Sequence, residues 1–565
     1  MLNVTGPIYN KSGLEKADSA EFTEKFSADR FVIKNDRDDN HQPLRVVAVA
    51  PPDSVHGRKD ENALNSSDPA SLFNACRVAA QRALFDTGAW QKSNWGGGGR
   101  SKIRANIQLM NSLDDLPEFV CLLKREKPNV LLLGAMTLCM PGAIACANVA
   151  REIFGKDIMI VLGGRHASET IYLWNAKARQ PEDIIHHRAS PSRLIRSGRI
   201  PPVFDAVVSG EGEFVIAELG EIVAQERGPY NPREIFHKLD IRTPGNWIVS
   251  LPGEGCDIVS VGNPIDPNDF MSLARLFGVT ASFEIFGGKL TAHVFSDVGP
   301  GCVYDCEFCS ERRSVTGGLK DVTKGAGRLY RQLDDAVSVI EEDCPGRGAS
   351  AFVEDSVLLG GSPRALDELC ELLENAPLPI EFGAQLTVDQ VLTRQPQLAR
   401  LARVGLTYLF IGLETIEPND IGGMSKDIGG KIGNWEFRSK RALDILSQNH
   451  INCGCALLFG LGERHESRLR LLDYLTQLRG SSGQPCVLSA NWAVHHPLRN
   501  TVRDPGYDYV DWGTPAGPFV DLFQNFGEAS LIYPLIDQKS PDLREVREVV
   551  DRLHIFRRCW PGPAR

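Results

Sequence analysis

Residues 299–312 read GPGCVYDCEFCSER and set Cys302, Cys306 and Cys309 in the spacing C-x3-C-x2-C. Three thiolates on so short a loop can serve a single soft metal centre. A ferredoxin run would add a fourth cysteine with two-residue gaps, and a structural zinc site would bring a second C-x2-C or a His pair. Neither is found, and His293 and His237 lie upstream without ligand spacing. A cubane iron–sulfur cluster held by three cysteines keeps one iron without a protein ligand, open to a bound molecule. Lone cysteines are mostly small buried hydrophobes. That is the reading for the rest of the 14 in this chain, including Cys453 and Cys455, which alternate in a strand-like run and face one side.

With Phe308 before the last cysteine, the stretch resembles the signature of the radical S-adenosylmethionine (SAM) enzymes. The resemblance implies a [4Fe–4S] cluster on Cys302, Cys306 and Cys309. Its open iron would chelate the amino and carboxylate groups of SAM, and its electron would split SAM to a 5′-deoxyadenosyl radical.

Downstream, apolar runs alternate with helical patterns. Strands are expected over 292–298, 350–353, 380–384, 407–412, 452–459 and 487–493. Helices are expected over 331–342, 364–373, 396–404, 436–448 and 464–479. Six strands alternating with helices make a partial (β/α)6 TIM-like barrel over 291–493. Its chemistry belongs at the carboxyl ends of the strands, which carry the cysteine loop, Glu354-Asp355-Ser356, Gln385, Glu414-Thr415 and residues 460–463. The resemblance implies SAM contacts at Phe308, Glu354, Asp355, Gln385, Gly412 and Glu414. Glu354-Asp355 stand where the family holds the amino group, and GLET at 412–415 where it meets ribose or adenine. FGLGE at 459–463 resembles the family's last glycine turn. Alternatively, Glu354 is a solvated loop carboxylate and Glu414 an acid at a helix N-terminus.

Upstream, residues 1–44 form a polar arm and 45–225 a second α/β unit. Its expected strands are 45–50, 103–109, 129–133, 158–162 and 204–209, with helices over 141–154 and 214–225 and a long insertion over 53–100 ending in NWGGGGR. The pattern is that of a doubly wound, Rossmann-like parallel sheet. Ligands of such sheets lie beyond the carboxyl ends of the strands. Here those ends carry Pro52, Thr137, Leu138, Gly163, Gly164, Gly210, Glu211 and Gly212. No G-x-G-x-x-G follows the first strand, which disfavours a dinucleotide. VLGGRHAS (161–168) and DAVVSGEGE (205–213) resemble the cobalamin-binding domain that precedes the radical core in many such enzymes, and the resemblance implies that these eight residues bind cobalamin. The D-x-H-x-x-G of the methionine-synthase type is missing; DSVHG at 53–57 only scrambles it. The cobalt is then expected to lack a protein histidine below, with His56 and His166 as alternatives. Residues 226–290 read as a linker with short elements, wrapped on the first unit. The extension 494–565, with Tyr507, Tyr509, Trp512, Phe519, Phe523, Phe526 and Tyr533, reads as core packing or as a lid over the barrel mouth.

The chain has 565 residues, 42% hydrophobic and 24% charged, with a net charge of −10 and a pI near 5.7. That is a globular composition, with no basic footprint for nucleic acid and no polybasic membrane patch. The charge-free span 129–150 is long enough for a bilayer, but Gly134, Pro141 and Gly142 split it into strand, loop and helix. No signal peptide is read at the N-terminus, and the many cysteines point to a reducing, cytoplasmic compartment. The resemblance implies a cobalamin-dependent radical SAM C-methyltransferase, a monomer. Methylcobalamin would be its methyl donor, a small molecule its substrate, and an external flavodoxin- or ferredoxin-like protein its electron source. Relatives with the same cofactors oxidise, cyclise or rearrange their substrates, or transfer methyl without a substrate radical. A cobalamin-binding sensor with a structural metal knot is the remaining alternative, and it lacks the fourth ligand zinc wants.

Overall fold

Runs such as VVAVA at 46–50 and MIVLG at 159–163 have no polar face to give to water, so both faces of their sheet must be covered. The computed structural model describes residues 44–52, 105–109, 113–416, 424–426, 434–459, 463–482, 486–492 and 541–558, except Ala176, Ala178, Met271, Thr280, Ala281, Pro300, Glu307 and Ser310. The first unit contains β1 (Val46–Ala50), β2 (Ala105–Leu109), β3 (Val130–Gly134), β4 (Met159–Gly163), β5 (Ile171–Leu173), β6 (Ile184–His186), β7 (Ala206–Gly210), β8 (Trp247–Leu251) and β9 (Cys256–Val259). Its main sheet has seven strands in the order β2-β1-β3-β4-β7-β8-β9, and β5 pairs with β6 alone. Val46, Ala48 and Ala50 face a core shared with the helix Glu213–Gln225. Val47 and Val49 face another, covered by the helices Leu116–Glu126 and Met140–Phe154. This is the doubly wound arrangement.

The strands β2, β1, β3, β4 and β7 are parallel, so their carboxyl ends form one edge. β8 and β9 are antiparallel additions beside β7. They lie within the stretch expected to be a linker. WIVSL and CDIV flank PGEG, and Gly255 takes a φ of +66°, so the Pro-Gly pair read as loop punctuation closes a hairpin.

The second unit holds β10 (Leu290–Val294), β11 (Ala349–Val353), β12 (Ile380–Leu386), β13 (Leu406–Glu414), β14 (Asn452–Phe459) and β15 (Cys486–Trp492), all parallel and in sequence order. Among the described residues the sheet stays open between β10 and β15, a partial barrel. Ala292, Ala351, Ala384, Ile411, Cys453 and Cys455 face the core under the surrounding helices. On the inner face, Phe352, Tyr408, Phe410 and Ala456 pack with Phe283 and Phe286 and fill the barrel. The helix Val322–Asp343 starts nine residues before the expected point. Its Gly325 lies against Val298, where a Cβ would stand 2.3 Å from Cγ1.

The charge-free span resolves into β3, a turn and the helix Met140–Phe154. No helix among the described residues is long and apolar enough to cross a membrane. Residues 1–43 of the arm, the whole of 53–104 and the aromatic stretch 507–533 lie outside the described residues. The helix Leu543–Arg558 closes the chain's described part, with Val546, Val549, Leu553 and Phe556 buried. Its Glu548 and Arg552 pair with His465 and Asp473 of the helix His465–Ser482.

Candidate functional site

The cysteine loop leaves the carboxyl end of β10 and closes on itself through its backbone. Cys302 N–H donates to the Glu311 carbonyl (2.8 Å), Cys309 N–H to Cys306 (3.1 Å) and Arg313 N–H to Tyr304 (2.8 Å). Gly301 sits at a φ of +100° with Thr316 so near that a Cβ would lie 2.1 Å from its hydroxyl, so only glycine fits there. Cys306, Phe308 and Cys309 are buried and Cys302 half-buried. Burial pushes the Cys309 thiol up to about 12 and raises that of Cys302, with the neighbouring cysteines adding to both. Such thiols ionise only against a strong local cation. Among the described residues, no three His, Cys, Asp or Glu side chains converge on one ion. A cubane sends each thiolate to a different iron, so three cysteines of one loop with N–H donors at their sulfurs suit it without converging on a single point.

Backbone N–H groups point at these sulfurs, that of Tyr304 at Cys302 among them. Glu311 N–H donates to Cys309 Sγ (3.4 Å). Ser425 N–H donates to Cys306 Sγ (3.3 Å), while Ser425 Oγ lies 3.5 Å from the same sulfur and accepts from Asp305 N–H (2.7 Å). Hydrogen bonds to cluster sulfurs are among the determinants of reduction potential.

Glu354, Asp355, Gln385, Gly412 and Glu414 come together at the ends of β11, β12 and β13, beside the cysteine loop. Glu354 Oε1 meets His293 Nδ1 at 2.5 Å, both side chains nearly enclosed. It is thus a held carboxylate rather than a solvated one. Glu414, at a φ of +57°, is paired in the interior with Lys426 Nζ (2.6 Å), which also donates to the Gly412 carbonyl (3.3 Å). A Cβ at Gly412 would collide with that ammonium at 2.2 Å, so the glycine makes room for the pair. Thr415 donates to Glu463, tying the ends of β13 and β14. Residues 460–462 lie outside the described residues.

Asp355 accepts from the Ser296 N–H (3.0 Å) and hydroxyl, and its carbonyl accepts from Gln385 Nε2 (3.3 Å). Its carboxylate thus staples the loop after β10 to the loop after β11. Burial, reinforced by Asp297, pushes its pKa up to about 6 against the Ser296 bonds. The folded protein therefore holds a proton there that the unfolded chain has released, and stability falls as pH rises from about 4 to about 6. The penalty, on the order of 2–3 kcal/mol, is fully present above that window. Asp355→Asn is expected to melt later than the parent at pH 8 and to lose this advantage at pH 4, by calorimetry at both values. No difference at pH 8 would mean that the Ser296 bonds outweigh burial.

On the first sheet, Pro52, Thr137, Leu138, Gly163, Gly164, Gly210, Glu211 and Gly212 share the carboxyl edge. Pro52 abuts Gly142, where a Cβ would meet the Pro52 carbonyl at 2.3 Å. A Cβ at Gly164 would meet the Ala135 backbone at 2.7 Å, at Gly210 the Asn246 carbonyl at 2.1 Å and at Gly212 Val208 at 2.7 Å, whereas at Gly163 it would make only ordinary contact. These glycines let the loops pack on one another and leave an edge made of backbone. Thr137 Oγ1 contacts His166 Nδ1 (3.2 Å) and Glu169 (3.4 Å), and His166 Nε2 donates to the Ala189 carbonyl (3.0 Å). Both ring nitrogens of this buried histidine are engaged inside the protein, so it shapes the loop rather than offering a metal ligand. His56 lies outside the described residues.

The two edges face each other. Arg165, next to Gly164, grips both carboxylate oxygens of Glu311 at 2.6 Å, and Lys320 reaches Glu211 at 3.3 Å. Residues 296–475, which contain the three cysteines and β11 to β14, match the model of the Radical SAM superfamily. The chain carries a radical SAM domain. That domain implies a [4Fe–4S] cluster and SAM. The chain is 22% identical over 441 residues to the anaerobic magnesium-protoporphyrin IX monomethyl ester cyclase of Rubrivivax gelatinosus, across 76% of this chain and 64% of the cyclase. It is 28% identical over 133 residues to the hopanoid C-2 methylase of Rhodopseudomonas palustris (strain TIE-1), across 22% of this chain and 23% of the methylase. It thus spans less than two thirds of either relative. Among solved structures, the radical SAM methyltransferase TsrM from Kitasatospora setae, with cobalamin and a [4Fe–4S] cluster bound, aligns with a TM-score of 0.47 at 13% identity, covering 91% of both chains.

The second unit also holds residues to which the sequence pattern assigns no site role: His293, Ser425 and Lys426, with Arg165 reaching in from the first sheet. For three of them the partner is remote, 61 positions for His293 and Glu354, 119 for Ser425 and Cys306 and 146 for Arg165 and Glu311. For Lys426 the available signal was the GLET segment a dozen residues earlier, which supplies its acid.

Proposed function

We propose that this chain is a cobalamin-dependent radical SAM C-methyltransferase acting on a carbon of a small molecule. The observation that carries the reading is the seating of the first sheet's carboxyl edge on the cysteine loop, through Arg165 with Glu311 and Lys320 with Glu211. An edge of backbone glycines suits a broad flat ligand, and this one abuts the loop that would hold the cluster. The similarity to a methylase favours methyl transfer, while that to a cyclase keeps an oxidative outcome as the competitor. When bound, the cluster supplies the electron that cleaves SAM and cobalamin supplies the methyl group.

The chain's own residues bind, orient and shield. Cys302, Cys306 and Cys309 would hold three irons of the cluster, and Ser425 and Glu311 N–H groups donate to the sulfurs of Cys306 and Cys309. Glu354, fixed by His293, presents a carboxylate suited to the amino group of SAM. Gln385, Gly412 and Glu414 wall the same side, and the packed rings of Phe352, Tyr408 and Phe410 exclude water from below. The electron comes from an external small redox protein.

The full chain, reconstituted anaerobically with iron, sulfide and hydroxocobalamin, would be given SAM with a trideuterated methyl group and titanium(III) citrate. The expected result is about one cobalamin per chain retained through gel filtration, a deuterated methyl on that cobalamin by mass spectrometry, and 5′-deoxyadenosine. Deoxyadenosine without retained cobalamin would overturn the methyl-transfer reading and leave a radical SAM enzyme of other chemistry.

A further inference from the structure

We infer that Arg165 is a positioning residue for the cysteine loop, acting through Glu311 to set both the loop's shape and the charge beside the cluster. Glu311 is a hub. Its carbonyl accepts from Cys302 N–H (2.8 Å), and its own N–H donates to Cys309 Sγ (3.4 Å). Its side chain accepts from the Ser356 hydroxyl (3.3 Å), next to Glu354-Asp355, and from both arms of the Arg165 guanidinium at 2.6 Å. One residue thus joins two cluster cysteines, the loop expected to meet SAM, and the first sheet. The fork is part-buried, with side-chain exposures of 19% and 24%, so solvent screens it only partly. On the other side, the buried Glu169, bonded to Thr137, also acts on the Arg165 charge. The link therefore runs from the end of β3 through Glu169, Arg165 and Glu311 to Cys302 and Cys309.

Two consequences follow. The Glu311 carboxylate would disfavour adding an electron to the cluster, and Arg165 offsets it. The same pair holds the Cys302–Glu311 turn closed, so it protects the buried thiols when no iron is present. The inference rests on the radical SAM reading for the cluster and is independent of methyl transfer.

The test uses the full chain as Arg165→Met, Arg165→Lys, Glu311→Gln and the double variant Arg165→Met/Glu311→Gln. In reconstituted protein, EPR-monitored titration should show the cluster's midpoint potential falling in Arg165→Met and rising in Glu311→Gln. It should stay near the parent in Arg165→Lys and return toward it in the double variant. In metal-free protein, alkylation of Cys306 and Cys309 by iodoacetamide, read by mass spectrometry, should be several-fold faster in both single variants to neutral residues. A merely structural pair would move both potentials in one direction. That result, or unchanged potentials, overturns the inference. If the parent itself takes up no cluster, the radical SAM reading fails instead, and alkylation rates that match the parent's would then overturn the loop-holding role on their own.

Discussion

A Cys306→Ala protein is expected to emerge from anaerobic reconstitution without a [4Fe–4S] chromophore and to form no 5′-deoxyadenosine above background. The loss should exceed roughly a hundredfold, the range in which even residues outside the ligand shell act on metal sites. Cys306 is the middle cysteine of the C-x3-C-x2-C loop, and its sulfur receives the Ser425 N–H and lies against the Ser425 hydroxyl. Its removal would take away the expected anchor of one iron together with the acceptor that holds the 424–426 segment against the loop. Cys455→Ala is the matched control. That thiol is equally buried but faces the apolar core beneath the helices, so the variant should lose some stability and keep its iron. Iron and sulfide analysis with the visible spectrum and chromatography of the nucleoside decide the matter. Full iron content in Cys306→Ala would show that the loop does not hold the cluster.

The architecture was legible because it rests on long apolar runs with few alternatives. The run at 452–459 is a strand from end to end as read, since a parallel strand covered on both faces needs continuous apolar sequence. The helices flanking it came within a few residues. The hairpin of β8 and β9 was missed because Pro252-Gly253 reads equally well as a linker or as a turn, and only the pairing with β7 decides between them. The start of the helix Val322–Asp343 was missed because Gly325 and Gly327 depress helix propensity. Tertiary packing of Gly325 against Val298 overrides it.

The site was legible only where chemistry demands a spacing. The cysteine triplet is local, so its reading needs no fold. Glu354, Gln385 and Glu414 were placed through strand ends, which the sheet register does bring side by side. What the carboxylates do there was not readable. Asp355 is occupied by Ser296 and Glu414 by Lys426, because a buried acid is stable only with donors or a cation beside it. Those partners come from segments that no periodicity connects. The glycines of the first sheet show the same limit. Their strand-end positions suggest close approach of a ligand, while at Gly164, Gly210 and Gly212 the protein's own atoms already require glycine, a demand set by packing that no motif announces.

Lys426→Met is expected to produce the largest stability loss of any single substitution in the barrel's upper face. The Lys426 and Glu414 side chains are only 8% and 2% exposed. Removing the ammonium leaves the carboxylate in the interior beside the Gly412 carbonyl that shared the same donor. Breaking a buried pair from one side costs about 3–5 kcal/mol, more than the pair itself contributes, because the remaining charge is stranded. For a domain of this size that corresponds to a fall in the apparent melting midpoint on the order of 10 °C. The double variant Lys426→Met/Glu414→Gln removes the stranded charge and should recover a substantial part of the loss, a coupling of roughly 1–3 kcal/mol between neighbours. Thermal melts of the parent, both single variants and the double variant complete the cycle. Additive losses would show that Glu414 finds another cation or protonates at little cost. A recovered double variant would establish that the ion pair, rather than either side chain's packing, fixes the segment carrying Ser425 against Cys306. The same melts link stability to the cluster: because Lys426 follows Ser425 directly, Lys426→Met should also take up less iron than the double variant does.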